Sequence, residues 1–105
     1  MFSNTRLTMA EAKALADAIK MAGSEYIKVR ATRFGKDWAQ KEFGRGYTLK
    51  FLIGKVVRVD KENSKRVVVE WEDKSVMSTT VSHTQRATKT AYKKAVKQAH
   101  LRGVS

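Results

Sequence analysis

The chain has 105 residues, 42% of them hydrophobic, enough for one domain with one modest core. Twenty-two Lys and Arg against ten Asp and Glu leave a net charge of +12, an excess that repels itself unless a polyanion relieves it. Absence of Cys excludes disulfide frameworks and thiolate metal sites, and no apolar run approaches the roughly 20 residues that span a bilayer.

Thr8-Met9-Ala10-Glu11 is a capping box, with Leu7 and Ala12 placed as a hydrophobic staple. Ala12, Leu15, Ala16, Ile19 and Ala22 follow helical spacing and Gly23 suits the left-handed stop, which predicts a helix over 8–22. From Tyr26 to Thr32 the period changes to two: Ile27, Val29 and Ala31 share one face of a half-buried strand, with Lys28 and Arg30 opposite. Residues 34–46 read as an insertion, a short helical turn or an ordered loop ended by Gly44-Arg45-Gly46. Further strands are expected from Tyr47 to Ile53, from Lys55 to Val59, from Arg66 to Glu72 and from Ser75 to Val81. Gly54 marks a bend or bulge, and Asp73-Lys74 a tight hairpin. Ser82-His83-Thr84-Gln85 offers a second capping box, and a basic amphipathic helix is expected over 83–102. There Thr88, Ala91, Tyr92, Ala95 and Ala99 oppose Arg86, Lys89, Lys93, Lys97 and His100. The order predicts an α+β fold: a small five-stranded antiparallel barrel over 25–81, which removes exposed edges, flanked by N-terminal and C-terminal helices.

The charge is unevenly placed. Residues 1–24 and 55–83 are each net +1, residues 25–54 are +4, and residues 84–105 carry six basic side chains and no acidic one. Like charges one helical turn apart cost a few tenths of a kcal/mol per pair, so a helix that keeps them points to a partner that compensates them. Arg86, Lys89, Lys93 and Lys97, with Lys94 at the border, are therefore the first candidates for phosphate contact. Arg30, Arg33, Lys36, Lys41 and Arg45 would extend the track, interleaved with Phe34, Trp38, Phe43 and Tyr47. Those aromatics either stack on unpaired bases or close the open end of the barrel, Trp38 being the candidate for stacking.

Catalytic chemistry is not suggested. His83 and His100 stand in separate elements, and no Ser-His-acid arrangement is visible. Glu70 and Glu72 share a strand face beside Arg66 and Lys74, which suits cross-strand ion pairing, and nothing supplies further metal ligands. A non-enzymatic protein without cofactor, metal or small-molecule substrate is the expectation.

Residues 53–72, with Gly54, Val56-Val57, a polar turn and Val67-Val68-Val69, resemble the strand-turn-strand of the KOW, Tudor and chromo-barrel families, small Src-homology-3-like barrels. Trp71-Glu72-Asp73-Lys74-Ser75 is similar to their Trp-x-Asp-Gly hairpin, with Lys74 in the glycine position. The resemblance implies binding: nucleic acid for KOW domains, modified peptides for Tudor and chromo-barrels, where Trp38, Tyr47, Phe51 and Trp71 would build an aromatic cage. The charge favours nucleic acid. The expected function is that of a bacterial or phage accessory protein or small regulator that binds duplex DNA with little sequence preference. It would be cytoplasmic, nucleoid-associated if DNA is the ligand, and the first six residues lack the order of a signal peptide. RNA binding by stacking on Trp38, Phe34 and Tyr47 is the nearest alternative, and docking on an acidic protein partner the next. Membrane attachment is not expected, because Ala91, Ala95 and Ala99 bury too little area.

Overall fold

The computed structural model describes residues 7–103, so the targeting reading of the first six residues lies outside the described residues. In chain order the elements are α1 (Met9–Ala22), β1 (Tyr26–Arg30), α2 (Lys36–Phe43), β2 (Phe51–Val59), β3 (Arg66–Trp71), β4 (Val76–Thr80), β5 (Gln85–Arg86) and α3 (Lys89–Gly103). Short 3₁₀ turns cover Ala31–Phe34, Tyr47–Leu49 and Val81–His83. Among the described residues no helix is long and apolar enough to cross a membrane.

The capping box forms as predicted. Thr8 Oγ1 accepts the Glu11 N–H at 3.1 Å and Glu11 Oε1 accepts the Thr8 N–H at 3.0 Å, which holds the Glu11 carboxyl below its ordinary range. The staple does not form, since Leu7 and Ala12 are both exposed. The inner side of α1 is buried at Ala18 and half-buried at Ala14, Leu15, Ile19, Met21 and Ala22, so Leu15, Ile19 and Ala22 lie as expected and Ala12 and Ala16 are left in solvent. So many alanines on one helix leave its apolar face poorly marked, and only packing decides which of them go inside.

The five strands form one antiparallel sheet in the order β4-β3-β2-β1-β5. It does not close, which corrects the barrel expectation: β4 pairs with β3, β5 with β1, and the two stay at opposite edges. A two-residue β5 offers too few ladder groups to join both edges. Instead Ala18 of α1 and Ala39 of α2 join Ile27, Val29, Leu52, Val56, Val67, Val69 and Trp71 in one buried cluster, with Phe34, Phe43 and Tyr47 packed around it.

Segmentation of the strands also differs from expectation. The strand begun at Tyr26 ends at Arg30 and tightens into the first 3₁₀ turn, and Tyr47–Leu49 is a 3₁₀ turn rather than a strand start. The strands expected on either side of Gly54 are one, β2, in which Gly54 pairs with Ile27 on one side and Trp71 on the other. Gly54 is there for close approach: a Cβ would lie 2.9 Å from the Trp71 ring and nearer still to Val69. The bulge falls two residues later, where the β2–β3 register shifts between Val56 and Arg58.

The β3–β4 hairpin turns through Glu72-Asp73-Lys74. Trp71 N–H donates to the Ser75 carbonyl, Lys74 N–H donates to the Trp71 carbonyl, and Asp73 Oδ1 accepts from Ser75 N–H at 3.0 Å. Lys74 takes φ 73°, the left-handed conformation for which glycine is suited. Trp71 is 1% exposed and donates its indole N–H to the Met77 carbonyl.

Candidate nucleic-acid interface

Alternation along the strands separates two faces. Ile27, Gly54 and Trp71 lie in one cross-strand row on the inner face; Tyr26, Lys55 and Glu70 lie in the next row, on the outer face. Helix α3 rests on that outer face. The Tyr92 ring packs 5.4 Å from Tyr26 and its hydroxyl donates to Glu70 Oε1 at 3.3 Å. Burial, and then the Glu70 charge, push the Tyr92 phenol up to about 12.

The helix starts later than the sequence suggested. Ser82 does not cap it: Val81–His83 is a 3₁₀ turn and Gln85–Arg86 is β5. Thr88 does, its hydroxyl accepting the Ala91 N–H at 3.1 Å. Arg86 is therefore not on the face of α3. It sits opposite Ile27 in the sheet, its guanidinium about 3.5 Å from where a Cβ of Gly23 would stand, beside the C-terminal end of α1.

From Lys89 onward the wheel holds. Tyr92 and Ala95 are buried and Ala91, Val96 and Ala99 half-buried, whereas Lys89, Lys93, Lys94, Lys97 and His100 are all exposed. At about 100° per residue, Lys89, His100, Lys93 and Lys97 fall within roughly 80° of arc. No carboxylate belongs to this helix.

The remaining predicted cations divide into groups. Arg30 donates to the Thr48 carbonyl at 2.8 Å, and its guanidinium and the Lys28 ammonium both lie over the Phe51 ring, 5.1 and 4.9 Å from its centroid. Phe51 and Lys50 line a cleft of about 540 Å³ together with Lys94, so this group adjoins α3. Lys36 and Lys41 are exposed on α2 and Arg45 on the loop after it. Arg33 belongs elsewhere, at the β4 edge beside Arg66.

The aromatics form an edge-to-face chain rather than a cage. Ring centroids run from Trp71 to Phe34 at 4.9 Å, Phe34 to Trp38 at 6.3 Å, and Trp38 to Phe43 at 5.8 Å. Trp71 is buried and Phe51 carries two cations of its own, so neither lines an open cage. Phe34 and Phe43 pack on the core, whereas Trp38 keeps 39% of its surface exposed. It borders a cleft of about 650 Å³ shared with Lys97 and His100 of α3 and with Glu42, Glu72 and Asp73. Glu72, though buried, accepts the Ile53 N–H at 2.9 Å and so prolongs the β2–β3 ladder past the end of β3. Among the described residues no group of three or more His, Asp and Glu could hold a metal ion.

No family model, curated protein or solved structure matches the chain.

Proposed function

We propose that this protein binds nucleic acid, duplex DNA by preference, through the outward face of α3, as a non-enzymatic accessory protein. The supporting observation is the division of that helix: one side is buried against the sheet, and the other presents Lys89, Lys93, Lys94 and Lys97 to solvent with no acid among them. Four ammonium groups on a rigid helix meet phosphates as point charges and read no base edges, so the contacts position without specifying. Lys50, Lys28 and Arg30 gather around Phe51 on a cleft that Lys94 also lines, together with Glu42 and Glu72.

Titration of a labelled duplex at several salt concentrations tests this. Four lysine–phosphate contacts give a slope of log K against log salt of roughly −3 to −4, with little difference between unrelated sequences. Failure to bind any duplex at low ionic strength would remove the proposal.

A further inference from the structure

A second basic cluster lies away from α3, at the edge of the sheet. Arg33, from the 3₁₀ turn after β1, and His83, from the turn after β4, face a cleft of about 340 Å³ along β4 together with Arg66. Ser78, Thr79, Thr80, Phe34 and Met77 line the rest, and no carboxylate does. The Arg66 guanidinium is fixed in place: Nε donates to Ser78 Oγ at 3.1 Å, one terminal nitrogen to Thr80 Oγ1 at 3.2 Å and the other to the Ser78 carbonyl at 2.9 Å. Asp60 stands behind this group, its carboxylate hydrogen-bonded to the Glu62 N–H at 2.9 Å and to the Ser78 hydroxyl, and its charge offsets part of that of Arg66. Two guanidinium groups, an imidazole and serine and threonine hydroxyls match the oxygens of a phosphate, which arginine meets with directed N–H groups.

Phe34 and Met77 also line the neighbouring cleft of about 290 Å³, whose other walls are Trp38, Leu52 and Trp71, with Asp73 and Ser75 as its polar groups. Anion-binding groups and an apolar, aromatic surface therefore lie side by side, joined by two shared residues. Met77, 54% exposed, and Trp38 offer flat or soft surface at which a base can stack.

We propose that this edge is a nucleotide subsite for single-stranded nucleic acid, with a phosphate on Arg33, Arg66 and His83 and the adjoining base against Trp38 and Met77. It borrows from the α3 reading only the class of ligand; although Trp38 also borders the Lys97 cleft, the phosphate-binding residues lie apart from α3, so changes at Arg33 separate the two. The probes are a 5′-phosphorylated tetrathymidylate, the same oligomer without the phosphate, a duplex, thymidine 5′-monophosphate and inorganic phosphate. Binding of the phosphorylated tetramer quenches tryptophan fluorescence and exceeds that of the unphosphorylated one. Arg33→Gln, at an exposed position, weakens the tetramer at least fivefold and the duplex less than twofold. Changing Lys89, Lys93 and Lys97 to Ala has the opposite pattern. Arg66→Lys keeps the charge, loses the fork, and weakens the tetramer as well. Unchanged tetramer affinity in folded Arg33→Gln protein overturns the subsite. So does inorganic phosphate competing as well as thymidine 5′-monophosphate, because the base then contributes nothing.

Discussion

On the inner face of the sheet, Ile27, Val29, Leu52, Val56, Val67, Val69 and Trp71 are buried among aliphatic and aromatic neighbours. On the outer face, Tyr26, Lys55 and Glu70 share one row, and α3 lays a tyrosine and alanines against the strands while presenting its lysines to solvent. The inner face is governed by shape, the outer by charge. Substitutions inside should therefore cost stability and leave binding alone, and those on the outward side of α3 should do the reverse.

The largest expected effect is on the inner face. Gly54→Ala drives a methyl into Val69 and the Trp71 ring, and overpacking at a paired strand position should cost about 3 kcal/mol, a fall of more than about 10 °C in Tm by calorimetry. Duplex affinity below the transition should stay within twofold of wild type. Next comes the mirror case: Lys89, Lys93 and Lys97 changed together to Ala should cut duplex affinity about a hundredfold near 100 mM salt and make the salt slope shallower by about 3. The same change should leave stability level or slightly raised, since like-charge repulsion goes with the lysines. A loss of stability there would erase the division between the faces.

Smaller effects sharpen the contrast. Thr88→Ala removes the hydroxyl that caps α3 and should cost about 1 kcal/mol in chemical denaturation. Lys74→Gly relieves a left-handed lysine and should gain up to about 1 kcal/mol in the same measurement. The Tyr92 phenol, at about 12 in the fold against an ordinary 10, keeps its proton where the unfolded chain has lost it. Its contribution is complete below pH 10 and fades as pH rises from 10 to 12, so Tm should decline across that window and decline less in Tyr92→Phe.

Local chemistry was legible in the sequence, and what depends on distant partners was not. The Thr8–Glu11 box and the left-handed Gly23 are decided within a few residues, and both appear as expected. The β3–β4 hairpin likewise follows from two β-branched strands around a short polar turn at Asp73-Lys74. Gly54 misled because a glycine reads as a break, whereas here it accommodates a tryptophan 17 positions along, a requirement no local pattern states. Ser82 misled as a helix start, because pairing of Gln85 and Arg86 with β1 delays the helix to Lys89 and takes Arg86 off the basic face. The lysines of α3 were readable because one helix carries them all. The Arg33, Arg66 and His83 cluster was not, being assembled from three segments that the sheet brings together.

One guanidinium has a further consequence. Strand β4 is an outer strand of an open sheet, a template on which another chain can add a strand. Arg66 reaches across it and occupies the Ser78 carbonyl as well as two hydroxyls. One acceptor that an incoming strand would need is thereby taken by the chain's own side chain. Arg66→Ala should free that acceptor, and a rise in light scattering at high protein concentration would report it.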